Sequence, residues 1–269
     1  MDANDTAFSG SIPELYDSFL VPLIFAPYAL DLAERIAAAG ARDVLETAAG
    51  TGVLTRALAA RLAPDARIVA TDLNQAMLDI AASRQPPDNR IAWRQADAQS
   101  LPFADRSQDV VVCQFGVMFF PDRIKAYGEA RRVLRPGGSF LFTVWDGLAE
   151  NDFPRLVEET MAQRFSADPP RFLGRTPYAY HDAGTIRGEL AAAGFTAISI
   201  EPRPETSPAP SPRHAAVAFC QGTPLRAEIL ARDPTGLDAA TQQADDALER
   251  RFGSGAIEGR IKAYLIAAS

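Results

Sequence analysis

The segment Glu46-Thr47-Ala48-Ala49-Gly50-Thr51-Gly52 opens on a carboxylate and closes on two glycines. Glycines let the backbone approach a ligand closely, and a helix that follows at once presents unpaired N–H groups to it. Asp72 stands 20 residues beyond Gly52, where a carboxylate can accept the protons of both hydroxyls of an adenosine ribose. Asp97-Ala98 comes next, a carboxylate suited to the exocyclic amine of an adenine. Three stations along the chain thus suit one adenosine-containing ligand. The dinucleotide fingerprint needs glycines at 50, 52 and 55, but residue 55 is Thr55, so a pyrophosphate is poorly supported. No Gly-Lys-Ser/Thr tripeptide follows the loop, which excludes a P-loop for ATP.

These residues need elements that bring their strand ends together. From Arg42 to Trp145 short β-branched runs alternate with segments of helical period, the pattern of βαβ units and a parallel sheet. Residues 43–46 form a buried first strand, followed by a helix with Leu54, Leu58 and Leu62 on one face and Pro64 beyond its end. Residues 67–72 form a second strand, and Asn74 is placed to cap a helix that turns Met77, Leu78 and Ala81 toward the sheet. Ile91 and Trp93 alternate in a third strand, 109–115 is a fully buried fourth, and 139–145 supplies a fifth after a Pro136-Gly137-Gly138 turn. Residues 197–201 read as a sixth strand. Five prolines between 202 and 212 then predict a stiff extended connector, 213–252 a helical insertion, and 264–267 a seventh strand beside the edge. The tetrapeptide Ile257-Glu258-Gly259-Arg260 matches a protease-site linker, by chance on this reading. The expected organisation is a helical cap over 1–40, a core over 41–201, and a connector, insertion and final strand over 202–269 in the same domain.

The chain has 269 residues with a net charge of −7 and an isoelectric point near 5.0. Such acidity argues against a nucleic-acid partner and favours a small molecule. No apolar run reaches the roughly 20 residues of a membrane span, and the polar start lacks a signal peptide's pattern, so the expectation is a cytoplasmic protein with no membrane insertion. The two cysteines, Cys113 and Cys220, make no disulfide framework, and no spacing suggests a metal.

Glu46-x-Ala48-x-Gly50-x-Gly52, Asp72, Asp97-Ala98, Leu101-Pro102-Phe103, Asp109-Val110-Val111 and Arg132-Val133-Leu134-Arg135-Pro136-Gly137-Gly138 fall in one order. That order resembles class I S-adenosylmethionine-dependent methyltransferases, in particular the branch similar to the ubiquinone/menaquinone C-methyltransferases (methyltransferase type 11), over about residues 42–145. The resemblance implies an α/β, Rossmann-like, doubly wound sheet of seven strands with the last antiparallel. It also implies S-adenosylmethionine as cofactor, S-adenosylhomocysteine as product, and methyl transfer to a small-molecule acceptor. Carried over, Glu46 lies near the methionine amino group, and Ala48, Gly50 and Gly52 line the loop beneath the cofactor. Asp72 holds the ribose, Leu73 and Met77 pack near the adenine, and Asp97 and Ala98 read its edge. Gln114 and Phe115 face the methionine moiety. Ala48 departs from the family's usual glycine and leaves less clearance for the ligand. An NAD-dependent oxidoreductase and a non-catalytic S-adenosylmethionine-binding protein are the alternatives.

Methyl transfer is an in-line displacement that proximity and alignment drive, so no conspicuous catalytic motif is required. A base is needed only if the nucleophile must lose a proton. The candidates are His181, beside Tyr178 and Tyr180, and Tyr16, with His214 and Asp17 behind them. Aromatic residues suit an apolar acceptor, and Tyr16, Phe19 and Phe119 are the candidate contacts. Other aromatics, among them Phe25, Trp145, Phe172 and Tyr180, are candidates for the core. Arg175 suits a surface carboxylate, and Arg131-Arg132 reads as a solvated helix end.

Overall fold

The computed structural model describes residues 12–269. The polar start and the first part of the expected cap lie outside the described residues. Seven strands, β1 (Asp43–Glu46), β2 (Arg67–Asp72), β3 (Ile91–Gln95), β4 (Gln108–Gln114), β5 (Leu134–Trp145), β6 (Ile198–Ala209) and β7 (Ile257–Ala268), form one sheet. Their order is β3-β2-β1-β4-β5-β7-β6. β1 pairs in parallel with β2 on one side and β4 on the other, so chain order reverses at β1. Connections leaving the carboxyl ends of β1 and β4 therefore part to opposite faces, and a crevice opens between them. The last strand runs antiparallel. At its end Ala197 and Ser269 exchange both N–H···O bonds, at 3.2 and 3.0 Å, as an antiparallel pair does.

The chain divides into two compact units. One holds residues 26–144, 181–202 and 264–269. Alternation along its strands sends Val44, Ile68, Val110 and Val112 to one face, where they meet Leu32 and Ile36 of helix Ala26–Ala38 and Leu54, Leu58 and Leu62 of and beyond helix Val53–Arg61. All are buried. Leu54 is wholly enclosed, so truncation to alanine would cost about 2–5 kcal/mol. Phe140 and Phe142 of β5 pack on Tyr127 of helix Arg123–Val133, and Phe140 also stacks on Phe195.

The other unit holds residues 12–25, 145–180 and 203–263. Its aromatic rings form a chain: Tyr16 stacks on Phe25 at 5.2 Å, Phe25 tilts on Trp145 at 5.8 Å, and Trp145 meets Tyr178 at 5.8 Å. Phe25, Trp145, Phe172 and Tyr180 are buried, whereas Tyr16 and Phe19 are half-buried. Helices Pro212–Gln221 and Leu237–Phe252 belong to this unit as well. Ser211 starts the first of them by accepting the His214 N–H at 3.2 Å.

Three local expectations need correction. β5 begins at Leu134, not Ser139, because Pro136-Gly137-Gly138 is no turn into the strand but part of a register shift: Gln108 faces Leu134 while Val110 faces Ser139. β6 runs on to Ala209, so Pro202, Pro204 and Pro208 lie in a strand and not in a connector. β6 is the edge of the sheet, and an edge strand tolerates residues without an N–H. The tetrapeptide from Ile257 opens β7, which is longer than 264–267, and a Cβ on Gly259 would lie 2.8 Å from the Phe153 ring. Glycine is thus demanded there by packing.

Candidate active site

The glycine loop leaves β1 and is pinned by its neighbours on both sides. Thr47 N–H donates to the Val112 carbonyl at 2.9 Å, Ala49 N–H to that of Thr71 at 2.9 Å, and Thr71 Oγ1 to that of Glu46 at 2.9 Å. Between these anchors Ala48, Gly50 and Gly52 take positive φ of 53°, 57° and 80°. Gly52 also has no room for a side chain, since a Cβ would meet Ala81 at 3.0 Å and Trp93 at 3.1 Å.

Asp72 ends β2 and is buried. Its Oδ2 accepts the Gly50 N–H at 2.8 Å and its Oδ1 the Asn74 N–H at 2.8 Å. Burial raises its pKa, and the bonds from Asn74 and Gly50 pull against that rise. Each oxygen keeps acceptor capacity, the chemistry that a ribose diol needs. Asn74 occupies the cap position of helix Gln75–Arg84, but its side chain makes no capping bond there.

Glu46 ends β1, almost wholly enclosed. Burial pushes its carboxyl up to about 8, although the Thr55 hydroxyl donates to Oε2 at 2.6 Å and Arg56 attracts it; Asp72 repels it. Thr55 is the residue that broke the dinucleotide fingerprint, and its hydroxyl has a positive task that the sequence reading passed over. Thr51 Oγ1, in the middle of the loop, is buried with no hydrogen-bond partner.

On β3's side, Asp97 is exposed and takes up the Gln99 N–H at 2.8 Å. Ala98 is half-buried. Leu73 is 54% exposed, while Met77 is buried with its Cε 3.7 Å from where a Cβ on Gly50 would stand. The loop after Asp97 is clamped by Arg132, which donates to the carbonyls of Leu101 and Phe103, each at 2.8 Å, and to Glu129 and Asp105. Glu129 in turn accepts the Leu101 N–H at 2.7 Å. Arg132 is therefore not a solvated helix end: four oxygens from two segments fix it because its planar fork matches them.

At the end of β4, Phe115 has φ 51° and donates its N–H to the Thr143 carbonyl and hydroxyl, each at 3.2 Å. Its ring meets Tyr28 edge-on at 5.2 Å. Gln114, just before it, is half-buried. Phe119, also half-buried, ends a short turn, Val117–Phe119, whose last N–H donates to Gly116 at 3.0 Å. Burial pushes the Cys113 thiol up to about 12.

The structure thus brings Glu46, Ala48, Gly50, Gly52, Asp72 and Met77 together around one loop. The other candidates stand apart from it. His181 is exposed, His214 Nε2 lies 3.1 Å from the Phe19 carbonyl, and Arg175 pairs with Glu228 at 2.7 Å. Tyr16 and Phe19 lie in the other unit.

A doubly wound sheet with an antiparallel last strand, a left-handed glycine loop after β1 and a buried carboxylate ending β2 defines a class I methyltransferase. A family model described as "Methyltransferase domain" matches residues 45–142. A ubiquinone/menaquinone biosynthesis C-methyltransferase of Saccharophagus degradans is 32% identical over 164 residues, 56% of this chain and 66% of that protein. A demethylmenaquinone methyltransferase of Clavibacter sepedonicus is 31% identical over 175 residues, 61% of this chain and 69% of its own. The chain spans about two thirds of the length of these relatives. Among solved structures, the YcgJ protein of Bacillus subtilis superposes with a TM-score of 0.58 at 21% identity over 90% of this chain and 97% of that one. Phosphoethanolamine N-methyltransferase 2 of Haemonchus contortus, in complex with S-adenosylhomocysteine, gives 0.59 at 17% over 98% and 59%. The chain belongs to the S-adenosylmethionine-dependent methyltransferases, on the branch of the ubiquinone/menaquinone C-methyltransferases.

Proposed function

We propose that this protein transfers the methyl group of S-adenosylmethionine to a ring carbon of a small apolar acceptor of the quinone class. One observation carries the cofactor half of this reading: Asp72 is buried between two backbone N–H groups, with acceptor capacity left on each oxygen. The names of the relatives at 31–32% identity support the acceptor half. When bound, the cofactor supplies a methyl group on a positively charged sulfur that a nucleophile displaces in line.

This chain's residues hold and align. Asp72 accepts the ribose hydroxyls, the Gly50-Thr51-Gly52 backbone lies beneath the methionyl chain, and buried Met77 lines the loop's other side. Asp97, Ala98 and exposed Leu73 are the adenine-side residues in this reading, and Gln114 and Phe115 face the methionyl group. Phe119 is the proposed acceptor contact, an apolar ring carried on the turn that follows Phe115. Alignment of this kind is worth up to roughly 7–11 kcal/mol in favourable systems.

The test is incubation with methyl-labelled S-adenosylmethionine and a short-chain hydroquinone that has a free ring position. Label recovered on the ring carbon supports the assignment. Label that passes to amines or phenols and never to the ring carbon overturns its acceptor half.

A further inference from the structure

We propose that Ala48 and Gly116 are a matched pair, in which the methyl group at 48 fills the space left by the missing one at 116 and so fixes the cofactor loop against the turn that carries Phe119. A Cβ on Gly116 would stand 2.4 Å from the Ala48 Cβ and 2.7 Å from the Cys113 Sγ. Side chains do not approach so closely. Backbone conformation gives no reason for glycine here, because Gly116 has φ −105° and ψ −31°, which any residue adopts. Space alone demands it. Gly50 is the opposite case: its φ is +57°, yet a Cβ there would meet nothing closer than 3.7 Å.

Both partners sit where force is transmitted. Ala48 holds a left-handed conformation that costs an L-residue about 1–2 kcal/mol, and it is kept there by the flanking bonds from Thr47 to Val112 and from Ala49 to Thr71. On the other side Phe115, also left-handed, is tied to Thr143, and the Gly116 carbonyl accepts the Phe119 N–H. A group forced in at 116 pushes the loop below or the turn above. The pair therefore accounts for alanine where relatives in this family carry glycine: its methyl group faces residue 116. Residue 116 acts here by positioning.

The inference rests on the loop being the cofactor loop, so the experiment keeps the two apart. Dissociation constants for S-adenosylhomocysteine are measured by calorimetry, with melting curves, on the full chain and on A48G, G116A, A48G/G116A and C113A/G116A. Expected are a loss of about tenfold or more in G116A, from overpacking, less than about threefold in A48G, and recovery in A48G/G116A to within about threefold of the parent. If G116A does not fold, folding of A48G/G116A supports the pair. Recovery in C113A/G116A but not in A48G/G116A overturns it, as does a double variant whose loss equals the product of the singles. An unmodified protein that binds no S-adenosylhomocysteine overturns the cofactor site itself.

Discussion

The two ends of the sheet carry the same residue types in opposite circumstances. At the amino end Asp109 accepts the N–H groups of Arg42 and Asp43 at 3.0 and 2.9 Å, and Arg135 donates to both Asp109 and Asp43. Burial raises the Asp109 pKa, but the bonds from Asp43, Arg135 and Arg42 outweigh it, and the net direction is down. At the carboxyl end Glu46 and Asp72 have hydroxyl and backbone N–H donors, and burial prevails, so both are raised. Carboxylates matched by a cation and hydrogen bonds stabilise; carboxylates kept in apolar surroundings with lone pairs to spare are arranged for a ligand. The contrast lies in what each acid is given to hold.

The widest break in this comparison comes from Asp109→Ala, which leaves two backbone N–H groups and Arg135 without that acceptor. Chemical denaturation should show a loss of about 1–2 kcal/mol, kept small by partial solvent exposure, with the affinity for S-adenosylhomocysteine unchanged. The stability that Asp109 supplies is present above its unfolded pKa near 3.9 and is lost as pH falls through its lower folded value.

Glu46 has the reverse sign. Its folded pKa is raised, so its contribution is full below about 4.5 and is lost as pH rises through about 8. Melting temperatures of the parent protein should therefore decline across that window, with Asp72 adding to the slope, and Glu46→Gln should flatten the decline. An identical slope in the variant would place the titrating group elsewhere. The smallest effect sharpens the comparison within the carboxyl end: Asp97 is exposed and occupied by Gln99, so Asp97→Ala should alter S-adenosylhomocysteine affinity by less than about threefold.

Much of this contrast was legible in residue order. β1 and β2 fall on the expected residues because each is a short buried run bounded by polar residues. Asp72 was legible because it ends such a run at a fixed distance from a glycine turn. What escaped was decided by partners far away in the chain. The prolines of β6 are tolerated only because no strand lies beyond it, and sheet order is not written in local sequence. Thr55 read as a missing glycine until its hydroxyl met Glu46. Arg132 read as solvated because Leu101, Phe103 and Asp105, which it grips, lie 27 to 31 positions away. Gly116 carries no signal of its own, since only the Ala48 methyl group makes it necessary.

The central claim is that the carboxyl end of the sheet grips the nucleoside of S-adenosylmethionine through Asp72. Titration of S-adenosylhomocysteine into the parent protein and into Asp72→Ala, followed by calorimetry at constant pH, tests it most directly. The account predicts saturable binding to the parent, weakened about tenfold or more in the variant by loss of charge-assisted hydrogen bonds, with the fold retained. Equal affinity in the two proteins would contradict it.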